Sequence, residues 1–91
     1  MKYKAKSGFE LKEIAGELLL MPRGAETVDY NFVTVFNEAG ALIYRAMNDF
    51  VDIDTLAQLL VEKYLISADD AKADVLAYVE KMLNEGLVEA E

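Results

Sequence analysis

Residues 31–40 read Asn-Phe-Val-Thr-Val-Phe-Asn-Glu-Ala-Gly, and they force a strand to run straight into a helix. Phe32 to Phe36 is a β-branched and aromatic run with no helical period, and Asn37 behind it is a good N-cap for a helix starting at Glu38. With no spacer at the joint, the angle between sheet and helix is fixed. Phe32, Thr34 and Phe36 share one face of the strand, and Val33 and Val35 share the other. Such a joint can leave a sheet edge beside a helical wall, which is a place for an extended peptide to dock.

The segments on either side support the same reading. Phe9–Ala15 and Glu17–Met21 are two strand-like runs joined at Ala15-Gly16, where Gly16 supplies the positive φ of a tight hairpin. Pro22 ends the second run because it cannot donate to a ladder. A polar connection, Arg23–Tyr30, leads to the third strand, which is expected antiparallel to the second. The first helix should run from Asn37 to about Met47, with Ala39, Leu42, Ile43, Ala46 and Met47 on its apolar side. Asp52 and Asp54 are candidate caps for a second helix over roughly Thr55–Leu65, burying Leu56, Leu59, Leu60 and Tyr64. Ser67 caps a third, with Asp69 and Asp70 set against its positive end, and Gly86 is its stop signal. Leu87 and Val88 then return to the core or extend as a short strand. The expected fold is α+β and winged-helix-like: a three-stranded antiparallel sheet followed by three helices, in one domain over residues 1–91 with its core at about 9–88. Phe36, Leu42, Ile43, Leu56, Leu60 and Leu76 are expected in one core.

Composition narrows the chemistry. The 91 residues are 54% hydrophobic, enough for one small core. There is no cysteine and no histidine, so disulfides, thiolate chemistry, the commonest metal ligand and the commonest general base are all missing. Asp52-Ile53-Asp54 and Asp69-Asp70 lack the Gly and terminal Glu of a calcium loop, and helix capping explains them better. The reading is of no catalytic residue, no metal and no cofactor. The basic start, Lys2, Lys4 and Lys6, is followed by no apolar stretch, so no secretory signal is read and the expected location is the cytoplasm. No apolar run is long enough to span a bilayer. Residues 1–36 carry five basic and five acidic groups, whereas residues 37–91 carry four basic against twelve acidic, so the net charge of −8 lies wholly in the helical part. An acidic third helix repels phosphates and argues against DNA as a partner.

Three short stretches, Lys12-Glu13-Ile14-Ala15-Gly16-Glu17, Phe36-Asn37-Glu38-Ala39-Gly40 and Leu83-Asn84-Glu85-Gly86-Leu87, give the chain a resemblance to the PqqD-like family, named for pyrroloquinoline quinone synthesis. The resemblance extends from about Phe9 to Val88, with Phe36 standing where the family usually has Leu. It implies a peptide-binding module, a RiPP recognition element, that is not itself an enzyme. In that family the leader of a ribosomally made precursor peptide adds as a strand beside the third strand. It packs against the third helix and is presented to a modifying enzyme, often a radical SAM protein.

From the residues alone, two readings of the third strand stand. Its edge is open for strand addition, or a loop or chain end covers it. The resemblance favours addition. The expected peptide site is therefore Asn31, Phe32, Val33, Thr34, Val35 and Phe36 on the strand, with Val75, Tyr78, Val79 and Met82 on the third helix. That helix carries an apolar arc of about 160°, broader than one core contact requires. The alternative function is a winged-helix-like adaptor that docks another protein in a structural or regulatory role.

Overall fold

A computed structural model describes residues 1–23 and 34–91. Its elements are β1 (Lys2–Ala5), β2 (Phe9–Ile14), β3 (Glu17–Pro22), β4 (Thr34–Phe36), α1 (Glu38–Arg45), β5 (Val51–Asp52), α2 (Ile53–Tyr64), α3 (Ala68–Asn84) and β6 (Val88–Ala90). The expected α+β order is present, the hairpin and the three helices fall close to their predicted bounds, and the third strand ends at Phe36 as expected, its expected start at Phe32 lying outside the described residues. Ala15 and Gly16 both take positive φ, 53° and 82°, and this lets β2 turn back onto β3 in two residues.

β2, β3 and β4 form an antiparallel sheet in that order, with Leu18 opposite Phe36 and Leu20 opposite Thr34. Period-two alternation decides its faces. Phe9, Leu11, Leu18, Leu20 and Phe36 turn towards the helices, while Glu10, Lys12, Leu19, Met21 and Val35 occupy the other side. Glu10 and Lys12 pair there at 3.3 Å.

A second antiparallel sheet was not expected. β1 lies between β5 and β6, with Tyr3 opposite both Val51 and Ala90. The first six residues read as merely basic, yet Lys2, Lys4 and Lys6 alternate with Tyr3 and Ala5, which pack against the core. That alternation is a half-buried strand. The new sheet is tied to the helical layer by Ala5 N–H to the Met47 carbonyl and Lys6 N–H to the Leu87 carbonyl, both at 2.9 Å.

Each helix is capped as its sequence demands. Asn37 accepts the Gly40 N–H at 2.7 Å, Asp52 the Thr55 N–H at 2.8 Å, and Ser67 the Asp70 N–H at 3.1 Å. Between the two Asp candidates for α2, the cap is Asp52. The core is built from Leu20, Phe36, Ile43, Met47, Leu56, Leu60, Val75, Val79 and Met82, with Leu87 and Val88 closing it. Full burial of each larger side chain contributes roughly 1.5–3 kcal/mol. Three expectations need correction. Leu76 is 46% exposed and outside the core, Tyr64 is exposed, and Leu42 is only half-buried. In α3 the buried side centres on Val75, with Ala71, Val79 and Met82 within about 40° of it, whereas Leu76 lies about 100° away.

Candidate functional site

β4 is an edge. It pairs with β3 on one side, and among the described residues no strand pairs with the other. Three ladder residues lead through Asn37 directly into α1, so the free edge ends against the start of a helix. Val35 stands 52% exposed on the outer face of the sheet, while Phe36 is buried and tilts its ring against Tyr44 at 5.7 Å between centroids.

α3 reaches the end of this strand through Tyr78, which bonds Asn37. Asn37 Nδ2–H donates to the Tyr78 hydroxyl at 2.8 Å, and that hydroxyl donates to Asn37 Oδ1 at 3.0 Å. Close approach depends on Gly40. A Cβ there would stand 3.2 Å from Tyr78 Cε1, 3.2 Å from Asn37 Oδ1 and 3.3 Å from Phe36 Cδ1. A side chain at Gly40 would therefore push Tyr78, Asn37 or Phe36 back by a few tenths of an ångström, so glycine here serves the close approach of α1 and α3 rather than backbone freedom.

Two shallow depressions flank the joint. One, of about 350 Å³, is lined by Asp74, Ala77, Tyr78 and Lys81 of α3. The other, of about 390 Å³ and mostly apolar, lies between the start of α1, the end of α2 and α3, with Ala39, Leu60, Tyr64 and Ile66 in its wall. Asp74 borders both. Glu38 of the second pairs with Lys63 at 3.4 Å, whereas Asp74 has no ion pair among the described residues. The groups with perturbed acidity among the described residues, Asp52 and Tyr44, line neither depression. Among the described residues no three of His, Cys, Asp and Glu converge as a metal site. No helix among them is long and apolar enough to cross a membrane.

The expected site residues divide into three groups. Asn31, Phe32 and Val33 lie outside the described residues. Thr34, Val35 and Phe36 form the edge strand, and Tyr78 stands at the joint. Val75, Val79 and Met82, expected to line the groove, are buried in the core of this structure. The broad apolar arc of α3 was read as reaching the groove with its Met82 side. The depression beside the joint is lined by Tyr78 itself and by the more polar sector next to it, Asp74, Lys81 and Ala77. Asp74 and Lys81 lie four and three positions from Tyr78, the only aromatic on α3, and that spacing was the available signal. The tie to Asn37 spans 41 residues and has no sequence signature.

The family model for coenzyme PQQ synthesis protein D matches residues 3–88. The chain belongs to the PqqD family. Comparison with curated protein sequences gives no match. Among solved structures, the PqqD domain resembles a lasso peptide synthetase B1 complexed with the leader peptide, at TM-score 0.73 and 20% identity over 99% of this chain and 100% of that one. It also resembles the PqqD truncation of Methylobacterium extorquens PqqCD, described as a stand-alone RiPP recognition element, at TM-score 0.76 and 12% identity over 98% and 89%. TbiB1 in complex with the TbiA(beta) leader peptide is similar at TM-score 0.72 and 14% identity over 97% and 96%. At these identities the shared property is the fold.

Proposed function

We propose that this PqqD-family domain binds the leader segment of a ribosomally made precursor peptide and presents it to a modifying enzyme, without chemistry of its own. The carrying observation is the edge of β4 that no described strand pairs with, tied to α3 through the Asn37–Tyr78 joint. Backbone groups along Thr34–Phe36 would supply affinity for any extended peptide, and the depressions at Asp74, Tyr78 and Lys81 would select side chains. Family membership supports the reading, as do the leader complexes of two structural neighbours. The acidic helical part favours a leader bearing Lys or Arg beside its apolar anchors. Its working place is the cytoplasm, and a radical SAM protein is the favoured class of modifying partner.

The test is an amide-shift titration with candidate leader peptides, followed by hydrogen exchange of the complex. Amides of Thr34, Val35 and Phe36 should gain protection, the Tyr78 ring should shift, and added salt should weaken binding. Protection confined to Phe9–Ile14, the other edge of the same sheet, would overturn the assignment. Binding of a folded enzyme with no response to any leader would favour a simple adaptor.

A further inference from the structure

Three of the nine basic side chains, Lys4, Lys6 and Arg23, line a single cavity of about 490 Å³ in a chain of net charge −8. It opens where β1 turns into β2, against the end of α1. The two depressions beside the Asn37–Tyr78 joint hold one lysine between them. Two carboxylates share the cavity wall. Glu10 is engaged by Lys12 at 3.3 Å, and Glu89 stands opposite Lys4 in the β1–β6 ladder with no ion pair among the described residues.

The cations are less engaged. Lys4 lies 5.7 Å from the centroid of the Phe50 ring, and Arg23 gives one N–H to the Phe9 carbonyl at 3.3 Å. Neither they nor Lys6 has an ion pair among the described residues. Tyr44 belongs to the same wall. It is 9% exposed, and its hydroxyl has no hydrogen bond among the described residues. Burial pushes its pKa up, against a smaller opposing pull from Arg23, so the phenol keeps its proton at neutral pH and stays a donor. Phe9, Leu11 and Met47 make the rest of the wall apolar. Cationic donors beside apolar surface suit a carboxylate carried on a peptide.

The cavity reaches β2, and β2 and β4 are opposite edges of one sheet with β3 between them, about 10 Å apart. A domain that presents a peptide holds peptide and enzyme at once, so the enzyme needs a surface that the leader leaves free. A leader bearing Lys or Arg is repelled here.

We propose that this cavity is the docking point for an acidic segment of the modifying enzyme, an Asp or Glu beside an apolar side chain, bound while the leader lies along β4. The proposal rests on the leader-presenting reading and adds a second, separate surface to it. The two partners are then sorted by charge.

The probe Ac-Leu-Asp-Glu-NH2, added to the whole chain, should shift the Ser7 and Asn48 amides and the Tyr44 ring. It should do so at about fivefold lower concentration than its neutral counterpart Ac-Leu-Asn-Gln-NH2. Lys6→Gln combined with Arg23→Gln should abolish that preference, whereas Lys72→Gln, an equivalent loss of charge on α3, should keep it. Tyr44→Phe keeps a ring against Phe36 and should weaken the acidic probe about threefold. Given a leader that protects Thr34–Phe36 and the enzyme that modifies it, the double variant should bind the leader as wild type does and the enzyme about tenfold more weakly. Should the double variant melt early, Lys6→Gln alone, at an exposed side chain, carries the same test with a smaller loss. Equal action of the acidic and neutral probes overturns the cavity and leaves the leader reading standing. Inorganic phosphate acting as strongly as the acidic peptide, a leader that moves the Ser7 and Asn48 amides, or unchanged enzyme affinity in the variants overturns the occupant. If no leader protects β4, the leader reading falls and the enzyme with it, and the probe comparison still decides the cavity.

Discussion

Asn37 and Tyr78 grip each other through two hydrogen bonds, amide N–H to phenol oxygen at 2.8 Å and phenol O–H to amide oxygen at 3.0 Å. The same amide oxygen accepts the Gly40 N–H at 2.7 Å. One side chain therefore starts α1 and ties that start to α3, and the free edge of β4 ends beside it.

Removing the phenol oxygen isolates the tie from the cap. Tyr78→Phe should cost about 0.5–1.5 kcal/mol, towards the lower value because the pair is solvent-accessible. Asn37→Ala, which loses cap and tie together, should cost about 1–2 kcal/mol. Urea denaturation of both variants measures this. Equal losses would mean that the cap contributes nothing.

Gly40→Ala sets two effects against each other. Alanine favours the helix by about 1 kcal/mol, but its methyl group meets Tyr78, Phe36 and Asn37 at 3.2–3.3 Å. Stability should stay within about 1 kcal/mol of wild type while the Tyr78 ring is displaced, seen as changed ring-proton shifts. An unmoved ring would show that α1 and α3 can separate without loss.

The two sides of α3 should respond oppositely to truncation. Met82→Ala, in the core, should cost about 2–5 kcal/mol, and Met82→Asp should unfold the domain. Leu76→Ala, half-exposed, should cost under about 1 kcal/mol and leave leader binding unchanged. Thermal melts decide it. A tolerated Met82→Asp would return that residue to the surface.

Acid should weaken the start of α2. Hydrogen bonds from Thr55, its hydroxyl first and its backbone N–H second, hold the Asp52 carboxyl below its ordinary value, and Lys2 across the sheet adds to them. The folded chain then binds this proton less readily than the unfolded one. The resulting stabilisation is complete above the ordinary carboxylate range and disappears as pH falls through the folded value. Asp52→Asn keeps a capping oxygen but no titration. Its Tm should lie below wild type at neutral pH, with the gap closing on acidification. A gap independent of pH would remove Asp52 as the cause.

The elements legible in the sequence were those with local causes. Gly16 marked the hairpin, Asn37 and Ser67 marked helix starts, and the strand-like runs on either side of Gly16 marked β2 and β3. The second sheet was harder to read because its pairs join segments far apart, and β5 is two residues long. The groove side of α3 was misread for a related reason. Its apolar arc gives the angle of each side chain about the helix, but not which sector the sheet and α2 will cover. Val75, Val79 and Met82 looked available until the fold buried them, and Asp74 and Lys81 were read only as charges of an acidic helix, because solvated charges are ordinary there.

β1 pairs with β6 through Tyr3 and Ala90, and the Glu91 N–H reaches the Lys2 carbonyl at 2.8 Å. In folding terms the two sheets belong to different moments. The β2–β3 hairpin closes across two residues, whereas β1–β6 closes nearly the whole chain and bears the larger loop entropy before any contact rewards it. Its strands gain their partners only when α1 and α3 have brought the Met47 and Leu87 carbonyls into position. The order expected is hairpin and helices first and the seam between the two ends last, so the seam governs how fast the domain opens more than how fast it forms.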